Sequence, residues 1–245
     1  MIDNNTFDKQ LYLAILSEKC HRYDDMYSNI EYIIINSDKF TNQNQINLIS
    51  SAFKHKLSDM RESINKLNFL EFNSKKEQSP QSQYTQYIVE YKDILINKLV
   101  SFCNGVIDLI DKHIIPKLST AGSKTFFHTL KGDYLRYIAE NILDESERKA
   151  ISERALNAYN TALRNSDKLS YKDANKLNLM LHITVFYYEI LQDGDKAHQL
   201  AIETLNTAKQ LIKTHNENDE AYRDSFKLLS LLESNIRMWD GEMEE

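Results

Sequence analysis

The sequence predicts an all-α protein of about nine antiparallel helices, and three observations lead there. Only five of its 245 residues are glycine and two are proline, which is too few turn-formers for a many-stranded sheet. Apolar residues recur at helical spacing along nearly the whole chain. No repeat of about 34 residues is visible, which argues against a helical-repeat array. We therefore expect one domain over residues 1–239 and a short acidic stub over 240–245.

Four helices are predicted in the first half of the chain. The apolar positions of the first are Leu11, Ile15, Leu16 and Cys20, and those of the second are Met26, Ile30 and Ile33 or Ile34. After a polar break around 37–44, those of the third are Ile46, Ile49, Phe53, Leu57, Ile64 and Leu67. A polar loop over 73–82, which contains Pro80, precedes a fourth helix that ends at about Ile114 and whose apolar positions are Ile88, Tyr91, Leu95, Leu99, Phe102, Val106 and Ile110.

Five shorter helices are predicted in the second half, over 122–141, 146–167, 172–191, 195–214 and 219–240. Asp144, Ser170 and Asp193 are side chains of the type that cap helices or form turns. The connections between these helices are short, so neighbouring helices should be antiparallel.

The charge and the cysteines exclude some classes of protein. The net charge is −6 and the pI about 5.7, whereas a nucleic-acid binder usually carries a basic excess. Cys20 and Cys103 show no disulfide or metal spacing. We find neither a signal peptide nor an apolar run of about 18 residues. These observations predict a soluble protein of the cytoplasm, with access to the nucleus, and neither a nucleic-acid nor a membrane-spanning role.

The motifs of common enzymes are missing from the sequence. It has no glycine-rich phosphate loop, no His-Glu-x-x-His, no paired cysteine motif and no Gly-x-Ser-x-Gly. His21 with Asp24 and Asp25 is more typical of a helix junction than of a metal site. We therefore predict a protein that is not an enzyme and that binds no cofactor or metal.

Basic and hydrogen-bonding residues share faces of two predicted helices. Lys54 and Arg61 are seven residues apart, so they lie on one face of the third helix. Arg136 stands next to Tyr137 in the fifth. A guanidinium, an ammonium and a phenol hydroxyl are the donors that a phosphate dianion takes. From spacing alone, however, solvated faces or local ion pairs are the better interpretation.

Two apolar stripes can likewise be interpreted either as core or as part of a binding surface. On the seventh helix, Leu181, Val185 and Tyr188 form a row beside His182 and Glu189. On the last helix, one face carries Leu228, Leu231, Asn235 and Trp239. The default interpretation of both stripes is core. A buried asparagine needs partners, which the backbone of a ligand could supply.

Five strings of residues, in order along nearly the whole chain, resemble motifs of the 14-3-3 family. They are Arg22-Tyr-Asp-Asp-Met26, Asn47-Leu-Ile-Ser-Ser-Ala-Phe-Lys54, Lys131-Gly-Asp-Tyr-Leu-Arg-Tyr137, Val185-Phe-Tyr-Tyr-Glu-Ile190, and Tyr222-Arg-Asp-Ser225 continuing to Asn235 and Trp239. The resemblance implies nine antiparallel helices, dimerised through the first four, and a concave amphipathic groove in each protomer.

The resemblance also implies a function and its residues. The phosphate of a bound peptide would be held by Lys54, Arg61, Arg136 and Tyr137. The groove around the peptide would be formed by Leu181, His182, Val185, Glu189, Leu231, Asn235 and Trp239. The implied function is a phosphoserine- and phosphothreonine-dependent adaptor that clamps segments of partner proteins. The alternative is a helical scaffold of the same fold that binds unphosphorylated partners.

Three groove positions depart from the family pattern. His182 replaces an asparagine that grips the peptide backbone, and its protonation at mildly acidic pH would strengthen binding of an anionic ligand. Thr129 replaces a lysine of the groove, and Lys227 replaces an apolar residue of its wall. The resemblance thus preserves the phosphate contacts while the flanking surface changes.

The implied dimer interface departs further. Its residues here would be Leu16, Ser17, Arg22, Asp25, Tyr91, Ile94 and Lys98. Relatives pair the arginine and aspartate at positions 22 and 25 with a glutamate and a lysine of the partner, where this chain has Lys98 and Ile94. Each lost exposed ion pair costs about 1 kcal/mol. We therefore expect a homodimer or heterodimer that is weaker or differently tilted.

Overall fold

The computed structural model describes residues 3–38, 43–77, 82–213, 219–220 and 222–243. These residues form nine α-helices and no strand, which confirms the predicted all-α class. The chain divides into two compact units, one ending at Leu118 and the other beginning at Ser119.

The first unit contains the four helices that were predicted for it. They are α1 (Asn4–Lys19), α2 (Tyr23–Asn36), α3 (Gln43–Glu77) and α4 (Gln83–Leu109). Each packs against the next along the chain. Fully buried side chains from three of them, Met26, Phe53 and Leu99 among them, form the core. The apolar stripes of the sequence therefore face one another, as expected of amphipathic helices.

The junction between α1 and α2 is a tight turn. His21 has a φ of 56°, in the left-handed region where a helix commonly ends. Its Nδ1 lies 2.9 Å from the hydroxyl of Tyr23, and Lys56 of α3 lies 3.0 Å from the carboxylate of Asp24. The contacts of Tyr23 and Asp24 thus attach the turn at His21 to α2 and α2 to α3.

The connection between α3 and α4 begins later than predicted, although α4 starts at Gln83, directly after the predicted loop. The predicted loop over 73–82 is too long, because α3 continues to Glu77. An ion pair between Lys75 and Glu71, 2.6 Å long and four residues apart, supports this additional turn. Pro80 lies outside the described residues.

The long fourth helix changes character before it ends. After Leu109 the chain makes one π-helical turn over Ile110–Ile114 and a short 3₁₀ turn over Ile115–Lys117, so the predicted end near Ile114 is confirmed. Lys117 donates to the carbonyl oxygen of Ile34 at 2.6 Å, and burial lowers the pKa of that amine. This contact ties the end of the segment to α2.

The second unit contains five helices: α5 (Ala121–Asn141), α6 (Glu145–Ser166), α7 (Ala174–Glu189), α8 (Gly194–Ile212) and α9 (Arg223–Met243). The side chains of Asp144 and Asp193 cap α6 and α8, as predicted. Ser170 lies in a turn, and Asp173 caps α7 instead. The helix predicted from 172 therefore begins at Ala174.

The last helix also extends further than predicted. The carboxylate of Asp240 lies 2.8 Å from Nε2 of His198 in α8, and α9 runs on to Met243. Most of the predicted acidic stub is therefore the final turn of a helix. Residues 244 and 245 lie outside the described part of the chain.

Candidate functional site

A buried arginine organises one face of the second unit. The Nη1 of Arg136 donates to Glu140 at 2.6 Å and to Glu189 at 3.4 Å. Its Nη2 lies 3.8 Å from the carboxylate of Asp133. The guanidinium carbon lies 4.5 Å from the ring centroid of Tyr137. Arg136 is thus held between three carboxylates and an aromatic ring, although only 6% of it is exposed.

The helical spacing of α5 produces most of this arrangement. Asp133, Arg136 and Glu140 follow one another at intervals of three and four residues, so they share one face of the helix. Glu189 is the last residue of α7, which packs against α5. One helix therefore supplies the arginine and two of its partners, and its neighbour supplies the third.

The charge on Arg136 is compensated inside the protein. Burial opposes the charged form, but the negative charge of Asp133 and Glu140 raises the pKa of Arg136 well above its ordinary value. The Nε of this guanidinium is buried and has no hydrogen-bond partner among the described residues. A buried donor without a partner costs about 1–3 kcal/mol.

Asp133 links three helices of the second unit. Its Oδ1 accepts a hydrogen bond from the hydroxyl of Tyr159 in α6 at 2.7 Å and lies 2.6 Å from the Nδ1 of His182 in α7. Burial and the adjacent carboxylate raise the pKa of Tyr159 well above its ordinary value. The phenol therefore stays protonated and serves as a donor.

Sequence reasoning missed three members of this network. Glu140 could have been found, because it lies four residues after Arg136 on the same helix. Asp133 stands inside one of the quoted strings but had no stated role. Tyr159 is 26 residues from Asp133, and no motif marks it.

The apolar residues predicted to line a groove differ in exposure. Leu231 is 53% exposed, whereas Leu181 and Trp239 are buried, and Val185 and Asn235 are intermediate. Trp239 stacks on Tyr188 with the ring centroids 4.7 Å apart. A direct contact between Trp239 and a bound peptide would need one of these rings to move.

The three residues that depart from the family pattern have different environments in the structure. Thr129 is completely buried, and its hydroxyl donates to the carbonyl of Thr125 at 2.8 Å. It gives the surface neither charge nor exposed area. Lys227 is exposed and pairs with Asp224 at 3.2 Å. His182 is partly exposed and hydrogen-bonded to Asp133.

Lys54 and Arg61 lie on α3 in the first unit. They are seven residues apart, which corresponds to about 10 Å along the helix and nearly the same face. Lys54 is exposed and forms no ion pair within the described ranges, and Arg61 is half-buried. The structure therefore places Lys54 with Arg61 and Arg136 with Tyr137. That the two pairs hold one phosphate stays a prediction.

The residues predicted for a dimer interface all belong to the first unit. Leu16, Tyr91 and Ile94 are exposed, and an exposed apolar surface is typical of an interface. Ser17 is intermediate and accepts from the backbone N–H of Arg22. That these residues contact a second subunit stays a prediction.

The charged dimer residues are already close to one another within the single chain. Arg22 forms a hydrogen-bonded ion pair with Asp25 of its own helix junction. Both line a cavity of about 400 Å³ together with Lys98. Arg22 would have to leave Asp25, or share it, to pair with another subunit.

No helix among the described residues is long and apolar enough to cross a membrane. No three histidine, cysteine or acidic side chains in those ranges stand close enough to hold a metal ion.

The sequence is similar to one family over most of its length. The pattern of the family described as "14-3-3 protein" matches residues 13–240. The "14-3-3 protein homolog" of Trichoderma harzianum is 33% identical over 236 residues, which are 96% of this chain and 88% of that protein.

Two further relatives also match over nearly the whole chain. The "Checkpoint signal transducer rad25" of Schizosaccharomyces pombe is 31% identical over 98% of this chain and 87% of its own length. The "14-3-3 protein" of Giardia intestinalis is 30% identical over 98% of this chain and 95% of its own length. The family pattern and these relatives cover the helices of both units, and the chain belongs to the 14-3-3 family.

Proposed function

We propose that this chain is a phosphoserine- and phosphothreonine-dependent adaptor and not an enzyme. Membership of the 14-3-3 family supports a protein-binding adaptor role in signalling. The finer proposal is that Arg136 and Tyr137, with Lys54 and Arg61, bind the phosphate of a partner protein. The observation that carries it is the fixed position of Arg136 among three carboxylates and beside the ring of Tyr137.

The surroundings of Arg136 suit a phosphate ligand. Its Nη1 is occupied by Glu140 and Glu189, while Nη2 makes a 3.8 Å contact with Asp133 and can donate to a ligand. A guanidinium held in one orientation loses little entropy when it binds a phosphate through two oxygens. The half-exposed Glu189 would exchange its contact with Nη1 for one with the bound segment.

The proposal has a consequence for binding by a dimer. A dimer would hold two phosphorylated segments at once, so binding to a doubly phosphorylated partner would gain from effective concentration.

The name of the relative from Schizosaccharomyces pombe, checkpoint signal transducer, describes a signalling role for that protein. We place this chain in the cytoplasm, where phosphorylated signalling proteins are abundant.

The test compares a labelled arginine-rich phosphoserine peptide with its unphosphorylated twin by fluorescence anisotropy. We expect micromolar or tighter binding of the phosphopeptide and at least a hundredfold weaker binding of the twin, because charge-assisted hydrogen bonds contribute most of the affinity. A phosphothreonine version should behave like the phosphoserine peptide. Equal binding of both twins would overturn the proposal.

The alternative is a scaffold that binds unphosphorylated partners. One observation favours it: Thr129, which stands where relatives have a lysine of the groove, is buried and offers a partner no charge. Its signature in the same experiment would be affinity that does not depend on the phosphate. The presence of all four residues that the family resemblance assigns to the phosphate makes the adaptor the better proposal.

A further inference from the structure

His182 is held by a partner that can only accept a hydrogen bond from it. The Oδ1 of Asp133 lies 2.6 Å from Nδ1 of the imidazole. The same oxygen accepts from the phenol of Tyr159 and faces the guanidinium of Arg136 at 3.8 Å. A carboxylate has no proton to donate, so the hydrogen in the contact with His182 belongs to Nδ1.

We infer that His182 is a specificity-determining residue that presents an unprotonated Nε2 as a hydrogen-bond acceptor to the bound segment. In a neutral imidazole one nitrogen donates and the other accepts, and Asp133 takes the donor. The side chain of His182 is 28% exposed, and we find no second hydrogen bond to it within the described part of the chain. This inference rests on the proposed function.

The neighbouring side chain on α7 strengthens the preference. Glu189 lies seven residues after His182, two turns along the same face, and its carboxylate also accepts. Because both groups accept, this stretch of α7 favours a segment that offers donors there: a backbone N–H, a hydroxyl or a basic side chain. A proline or an N-methylated residue opposite Nε2 lacks the N–H and should be disfavoured.

The tautomer can be measured on the full chain without any ligand. Long-range ¹H–¹⁵N correlations of the histidine rings distinguish the two nitrogens, and the signals of His182 are those lost in His182→Phe. At neutral pH we expect a proton on Nδ1 and none on Nε2. A proton on Nε2 with a bare Nδ1 would overturn the inference, whatever the protein binds.

Two substitutions test the cause of the tautomer. Asp133→Ala removes the acceptor that faces Nδ1, so the proton should no longer be confined to that nitrogen. Tyr159→Phe removes the other hydrogen bond to the same oxygen and should leave the tautomer of His182 as in the wild type. A tautomer that stays as in the wild type in Asp133→Ala would remove Asp133 from the argument. If that variant does not fold, the wild-type measurement still decides.

Binding tests the acceptor role itself. In a series of phosphopeptides, one backbone amide at a time is replaced by an ester, which removes its N–H. We expect one position at which the ester weakens binding to the wild type about three- to tenfold, as for a single lost hydrogen bond. The loss should vanish in His182→Phe. The same loss in both proteins, or none in the wild type, would contradict the inference.

The two experiments separate this inference from the proposed function. Failure of every phosphopeptide to bind would reject the adaptor proposal, and the acceptor role in binding would fall with it. Tight phosphate-dependent binding with the opposite tautomer would reject only the role of His182.

Discussion

At the scale of single residues, Arg136 shows how a buried charge can be compensated within the protein. Its three carboxylate partners compensate the cost of taking a guanidinium out of water. The same partners fix the plane of the fork before any ligand arrives. A residue that looks like a structural ion pair can therefore be a prepared binding group.

Arg136→Lys should separate these two roles. Lysine keeps the charge that Asp133 and Glu140 need, but a single ammonium cannot make the bidentate contact. We expect phosphopeptide affinity to fall roughly tenfold, with a loss of unfolding free energy of no more than about 2 kcal/mol. Anisotropy and urea denaturation measure the two quantities. Arg154→Lys, at an exposed position of α6, is the control and should change neither.

How much of this site the sequence predicts depends on how far apart its residues lie. The pair of Arg136 and Glu140 follows from helical spacing alone. The contact of Asp133 with Tyr159 joins two helices, and no local pattern encodes which side chains meet across them. The partner of His182 was missed for the same reason, so the sequence analysis considered only the protonation of this side chain.

At the scale of helices, the contact between α5 and α6 depends on one small residue. A Cβ on Gly132 would lie 2.6–2.8 Å from ring atoms of Tyr159, which is closer than carbon atoms can approach. Tyr159 is itself fully buried and bonded to Asp133, so it cannot easily move. The two helices can approach this closely because residue 132 has no side chain.

Gly132→Ala should therefore destabilise the protein, although alanine is the better helix former. We expect a loss of about 1–3 kcal/mol in the free energy of unfolding, measured in urea. Gly105→Ala is the matched control, since a Cβ there meets nothing within 4 Å. In α4 it should stabilise by up to about 1 kcal/mol. A stabilising Gly132→Ala would contradict the close contact.

Between α3 and α4, one carboxylate serves two lysines. Glu71 pairs with Lys75 of its own helix and with Lys92 of α4, and its hydrogen bonds to these lysines hold its pKa below the ordinary 4.5. A lowered pKa in the folded state means that the stabilisation is present above pH 4.5 and is lost as the pH falls further.

Glu71→Gln should accordingly lower the free energy of unfolding at pH 7. The difference from the wild type should become smaller as the pH falls. We expect a difference of about 1 kcal/mol from the wild type at neutral pH, shrinking towards zero as the pH falls below 4.5. Urea unfolding at a series of pH values measures it. Glu62→Gln removes a fully exposed pair with Lys66 on the same helix and should have a smaller effect. A constant difference at every pH would exclude the charge as its cause.

The helices themselves were largely predictable, and their ends less so. Apolar periodicity identified every helix of the described part, because the apolar residues of a buried helix face recur at a fixed spacing along the chain. Asp144 and Asp193 marked two starts correctly. The start of α7 was misplaced because Ser170 and Asp173 are both good capping residues, and the choice between them depends on the turn that precedes α7.

At the scale of the whole molecule, the main question is assembly. Family membership supports dimer formation, yet Arg22 already pairs with Asp25 within the chain. Lys98 lines the same cavity as Arg22 and Asp25. It is positively charged like Arg22, whereas a carboxylate at position 98 could pair with Arg22 of the other subunit. The dimer should therefore gain little from these charges.

Restoring the charges should strengthen the dimer. In Lys98→Glu combined with Ile94→Lys, each new ion pair with the partner should contribute about 1 kcal/mol, or roughly a fivefold lower dissociation constant. Sedimentation velocity over a range of concentrations measures it. The control, Ile94→Glu alone, would face Asp25 with a like charge and should weaken the dimer. An unchanged dissociation constant in the double variant would place the interface elsewhere.

The single most direct measurement is the effect of Lys54→Glu on binding of a labelled phosphoserine peptide, beside the control Lys66→Glu on the same helix. Lys54 shares a face with Arg61, whereas Lys66 is turned about a third of the way around α3. If the phosphate lies on the proposed residues, Lys54→Glu abolishes binding and Lys66→Glu leaves it within about twofold. Equal affinity of the two variants, or binding that survives in Lys54→Glu, would contradict the account.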